Sequence, residues 1–108
     1  MTNITNDNNA VVDLFTTEIA AKFRAGVTAL KQNAANTADV DEKVRLIDKA
    51  HGLQKVLDNQ GERLTNVRTQ ADILTMADLI LMDAAIEQNT ASQSGMLLAV
   101  GYITDFLR

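Results

Sequence analysis

Residues 73–86 read ILTMADLILMDAAI, and eleven of the fourteen are apolar. A half-exposed helix keeps one polar face, and this stretch keeps none. A helix that is apolar nearly all round is buried on several sides. The stretch therefore reads as the central helix of a domain, or as a helix shared with a partner. The composition around it favours helix. There is no proline, glycine occurs five times, and aromatic residues make up 4% of the chain. Sheet proteins need turn residues and favour β-branched and aromatic side chains. This chain is instead rich in Ala, Leu, Lys, Gln and Glu, which favour helix. The expected class is all-α: a three- or four-helix bundle or helical hairpin with a long apolar C-terminal helical region.

The polar interval EQNTASQSG follows at residues 87–95, and a second apolar run at residues 96–107. Free chain ends fray, so an apolar end suggests a docked one. Ser92 or Ser94 is suited to cap a fresh helix, or Gly95 to sit inside a long one. Residues 62–107 are thus readable as one helix or as two. Toward the N-terminus, Val12, Phe15, Ile19, Phe23, Val27 and Leu30 recur at spacings of three and four. That stripe predicts a helix over residues 10–34, capped by Asn8 or Asn9 after a flexible polar segment at residues 1–9. Asp39, with Glu42 three residues later, predicts the start of a second helix. It should run over residues 40–57, with Val44 and Ile47 contributing and with Leu46, Ala50, Leu53 and Leu57 as a further stripe. Residues 58–61, DNQG, are the strongest turn signal, although Gly61 is also readable as part of a continuous helix. Residues 10–108 are expected to form one helical domain.

The charge excludes some function classes. The net charge is −4, and no Lys or Arg occurs between Arg68 and Arg108. A nucleic-acid binder should show a basic stripe, so no nucleic-acid partner is expected. No apolar run reaches the roughly 20 residues needed to span a bilayer, so no transmembrane segment is expected. The opening MTNITNDNN lacks the basic and apolar regions of a cleavable signal. The expected location is cytoplasmic, or exported without such a signal.

Candidate chemistry is sparse. His51 is the single histidine. Asp48 lies one helical turn before it, a spacing that suits a local hydrogen bond or a proton-transfer pair. Asp83 and Glu87 are four apart and share one face, which reads as a solvated acidic strip before it reads as a cation site. Asp78 interrupts the apolar run; it is either an exposed edge or a contact for Arg63, Arg68 or a partner's cation. There is no GxGxxG, no GxxxxGK[ST] and no Gly-x-Ser-x-Gly. No catalytic residue, cofactor or metal is expected, and the chain reads as a non-enzyme.

Two features point to packing. Ala91, Gly95 and Ala99 form a small-residue ladder, and Ala21, Ala25 and Ala29 form another; such ladders let helix backbones approach closely, most often within one chain. Met76, Met82 and Met96 add adaptable surface. The expected interface comprises Ile73, Met76, Leu79, Ile80, Met82, Ile86, Met96, Leu97, Val100, Ile103, Phe106 and Leu107. Asp78, Asp83 and Glu87 are expected to give specificity.

Three segments carry a resemblance: Ala71-Asp72-Ile73-Leu74-Thr75-Met76, Ile86-Glu87-Gln88-Asn89 and Ile103-Thr104-Asp105-Phe106-Leu107-Arg108. In order and spacing they resemble the C-terminal region of the inner-rod proteins of type III secretion systems, over about a third of the chain. The resemblance implies a small axial subunit whose terminal helix packs with copies of itself. The expected partner is a protein or a second copy of the chain. The alternative is a soluble helical adaptor, chaperone or phage or bacterial regulator that binds one protein.

Overall fold

The computed structural model describes the backbone of residues 2–108 and the side chains of residues 12–108. Four helices follow one another: α1 (Thr2–Asn36), α2 (Val40–Thr65), α3 (Gln70–Ile86) and α4 (Thr90–Leu107). The architecture is an elongated helical bundle, 57 × 27 × 23 Å. The longest dimension is set by α1, since 35 helical residues span about 52 Å.

The element boundaries follow from local hydrogen bonding. Asp39 caps α2 by accepting from the backbone N–H of Asp41 (3.0 Å) and Glu42 (3.3 Å). Glu42 does not close the expected reciprocal box, because its carboxylate is taken by the Arg45 guanidinium (2.6 Å). The turn expected at residues 58–61 does not form: α2 continues to Thr65. The break falls instead where Thr69 and Asp72 build a full capping box. The Thr69 hydroxyl accepts from the Asp72 N–H (3.2 Å), and the Asp72 carboxylate accepts from the N–H groups of Thr69 (3.0 Å) and Arg68 (2.9 Å). A cap that satisfies several orphan amides at once outweighs one helix glycine costing about 1 kcal/mol. Asn89, rather than Ser92 or Ser94, caps α4 through the Ser92 N–H (3.0 Å). At the start of the chain, α1 begins earlier than the expected residue 10. The suggested caps Asn8 and Asn9, and the segment 1–9, have side chains outside those described.

The α1 stripe packs inward as expected. Phe15, Ile19 and Phe23 are fully buried with Leu53, Ile73, Met76, Ile80 and Ile103. Phe15 meets Phe106 edge-on at 5.3 Å, and Phe23 lies 5.9 Å from Tyr102. Those pairs lay the C-terminal half of α4 against α1. Leu46, Ala50 and Leu53 turn inward on α2 as expected. Val44 and Ile47 do not: they remain exposed, because they lie off that stripe and near the end of α2 that projects past α4.

The α2–α4 contact is unusually close. A methyl group on Gly52 would collide with the Ser92 carbonyl, and one on Gly95 with the Lys49 carbonyl and the Leu53 amide. The ladder Ala91, Gly95, Ala99 therefore serves an internal crossing, in which Ala99 is fully buried. Ala21, Ala25 and Ala29 are exposed. Polar groups pin the same crossing. The Ser92 hydroxyl donates to the Asp48 carbonyl (3.0 Å), Asn89 Nδ2 donates to the Asp48 carboxylate (3.2 Å), and Lys55 pairs with Glu87 (2.9 Å).

Three glycine substitutions separate close approach from simple helix propensity. Gly52→Ala and Gly95→Ala should each lower unfolding stability by about 1–3 kcal/mol through overpacking. Gly61→Ala meets no atom of the described residues within 4 Å and should raise it by about 0.5–1 kcal/mol. Urea unfolding followed by far-UV circular dichroism at low protein concentration measures all three; equal effects at the three sites would contradict the crossing.

Candidate interaction surface

The helix α3 has two apolar faces. Ile73, Met76, Ala77, Ile80 and Ala84 are buried against the rest of the bundle. Leu74, Leu81, Met82 and Ile86 lie on the other side and are exposed by 56%, 42%, 64% and 79%. With Asp78, their spacing of four, three, one and four residues places them along one outer face. The reading of residues 73–86 as a central helix enclosed by its own domain is thus corrected. The helix packs mainly against α4, and its far side meets solvent. A connected row of large apolar side chains in water is a mark of a docking surface, whereas single exposed ones are ordinary.

The residues expected at an interface separate into three groups. Ile73, Met76, Ile80, Met96 and Ile103 belong to the internal core. Leu79, Val100, Phe106 and Leu107 are half-buried, the last three packed against that core. Met82, Ile86 and Leu97 are exposed. Leu74 and Leu81 complete the outer face but were not among the expected positions. An all-apolar run carries no polar marker for which side turns inward, so only Asp78 and Asp83 hinted at an outer edge.

The acidic residues also take distinct places. Asp78 is exposed on the outer face, and Asp83 is half-buried. Glu87 sits at the C-terminal end of α3, held by Lys55 (2.9 Å) and by the Asn89 N–H (3.2 Å). Asp48 engages Asn89 and Ser92, with no bond to His51, which is exposed.

A second open surface runs along the α1–α2 seam, on the side away from α4. One groove there, about 680 Å³, is lined by Asp13, Thr16, Ala20 and Arg24 of α1, by Gln54, Leu57, Gly61 and Leu64 of α2, and by Arg68 of the following turn. A smaller groove of about 310 Å³ lies between Lys31, Ala34 and Ala35 of α1 and Lys43 and Ile47 of α2. Positions 13, 16, 20, 24, 31 and 35 keep one helical register, as do 43, 47, 54, 57, 61 and 64, so both grooves follow one seam. No protein-family model, no curated protein and no solved structure matches the chain.

Two carboxylates that hold the ends of α3 are acid-sensitive. The backbone N–H groups of Arg68 and Thr69 hold the Asp72 carboxyl below its ordinary value. The Lys55 ammonium, followed by the Asn89 N–H, does the same for Glu87. A carboxyl whose folded pKa lies below its unfolded one stabilises fully above the unfolded value. That contribution is lost as pH falls through the lowered one. The melting temperature should therefore drop on acidification below roughly pH 4. Asp72→Asn and Glu87→Gln should melt lower than the parent at neutral pH and converge with it at the acid end. A thermal-melt series across pH tests this; parallel curves would contradict it.

Proposed function

We propose that the protein acts without catalysis, as a helical protein–protein interaction and assembly module whose working surface is the outer face of α3. The observation that carries this reading is the exposed row of Leu74, Leu81, Met82 and Ile86 on a helix already anchored by its opposite face. Burial is worth about 25 cal/mol per Å² of apolar surface, so a partner helix laid along the row gains from each of these side chains. Because α3 is held in place beforehand, little ordering cost offsets that gain.

The finer form of the reading, an axial component of a secretion apparatus, is supported by the resemblance of residues 71–76, 86–89 and 103–108 to the inner-rod proteins. A second form, an adaptor, chaperone or regulator for one partner, is supported by the charge of α3. Asp72, Asp78 and Asp83 lie on it with no Lys or Arg, which suits a partner with a basic edge.

A photo-reactive phenylalanine analogue at Met82 tests the surface in cells that express the intact chain. Protein adducts should form at Met82 and be at least several-fold fewer at exposed Ala25 on the outer side of α1. Equal yields at the two positions, or none at Met82, would overturn the reading.

A further inference from the structure

Resting on that reading, we infer that the partner of α3 is a second copy of the chain, and that it docks through the α1–α2 seam. The two surfaces match in length, in polarity and in charge.

Length comes first. From Asp13 to Ala35 the seam follows α1 for 22 residues, or about 33 Å of helix. The 17 residues of α3 span about 25 Å, so the whole helix fits within the seam. Polarity agrees. The floor carries Ala20, Leu57, Leu64 and Ile47, a shallow apolar trough for the α3 row. Gly61 opens into this trough with no atom of the described residues within 4 Å of where a side chain would start. A helix-interior glycine costs about 1 kcal/mol, and no described residue crowds this one. An incoming helix backbone would.

Charge sets the direction. Arg24, Lys31, Lys43 and Arg68 line the seam with one carboxylate among the described residues, Asp13, while Asp58 is held by Gln54 of the lining. Among the described residues, none of these four cations is in an ion pair; the pairs formed are Arg45–Glu42, Lys55–Glu87 and Arg108–Asp105. The outer face of α3 carries Asp78 and no cation; the Asp72 carboxylate is taken by the capping box, and Asp83 is half-buried beside Lys55. Opposite surplus charge on two apolar faces brings them together and penalises α3 against α3 or seam against seam.

The two surfaces are different parts of the molecule, so the contact is heterologous. Each copy keeps one free α3 and one free seam, and the association repeats head to tail into a ring or a filament.

Complementation between blocked variants tests this. Leu81→Glu removes the α3 face and leaves the seam. Lys31→Glu with Lys43→Glu reverses the seam and leaves α3; Gly61→Trp blocks the same trough by bulk. Circular dichroism establishes that each variant is folded. Sedimentation velocity from micromolar to millimolar concentration should show the parent growing in mass and weakening at least tenfold in high salt. Each blocked variant alone should be a monomer. A mixture of an α3-blocked and a seam-blocked variant should give a one-to-one dimer and nothing larger. A parent that stays monomeric, a seam-blocked variant that still self-associates, or a mixture that does not pair would overturn the inference. Adducts of Met82 with a different protein, beside a monomeric parent, would leave the interaction reading in place while removing this one.

Discussion

The close crossing of α2 and α4 is the contact on which the rest of the bundle depends. Gly52 and Gly95 let the two backbones meet where any side chain would hold them apart. Side chains then interlock around that point: Leu53 and Ala99 are fully buried, and Met96 nearly so. From this crossing α4 runs alongside α2 and reaches α1 through Tyr102 and Phe106. The turn at residues 87–89 enters the crossing tied to α2 by Lys55 and Asp48, so it also fixes where α3 ends. The glycines cost helix propensity, and the gain is dense packing between two helices that the chain does not connect directly.

This arrangement explains why α3 is two-faced. A helix enclosed by the bundle would need neighbours on several sides. Here α4 lies deep against α2, and α3 is left to pack on α4 with lighter contact to α1 and α2. Its buried face is well filled, with Ile73, Met76 and Ile80 at zero exposure. Its ends are fixed as well, by the Thr69–Asp72 capping box and by Gln93 Nε2 donating to the Ala84 carbonyl at 2.8 Å. The outer apolar row is therefore held on a rigid element. One internal polar group does not fit this economy. Among the described residues, Gln60 Oε1 is buried without a hydrogen-bond partner, and the structure offers no physical account of it.

Much of the fold was legible from periodicity. The α1 stripe from Val12 to Val27 has spacing that admits one face only, and that face is buried. Asp39 was readable as a cap because a carboxylate before an amphipathic run has free amides to bind. The internal use of Ala91, Gly95 and Ala99 was also the favoured reading of that ladder. Two boundaries were not legible, for different reasons. Gly61 in a polar quartet resembles a turn, yet α2 carries on because Leu64 beyond it belongs to the core. The capping box at Thr69 was present in the sequence, but the stronger glycine signal eight residues earlier drew the boundary away from it.

The candidate surface was legible only in part, and the reason is physical. Periodicity reports a face by contrast between apolar and polar positions. In α3 the contrast is absent, so Leu74 and Leu81 could not be told from Ile73 and Ile80 before the position of α4 was known. The charge pattern behaves differently, since it survives whichever side turns inward. The cation-free interval between Arg68 and Arg108 marks α3 and α4 as acidic, and the cations gathered on the α1–α2 seam lie in the other half of the chain. Residues 1–68 balance nine carboxylates against nine cations, so the cations along the seam are gathered by how α1 and α2 face each other and not by sequence order. Opposite charges within one chain normally find each other across a domain. In this bundle one such pair forms among the described residues, between Lys55 of α2 and Glu87 at the end of α3, while Asp78 stays exposed on the outer face.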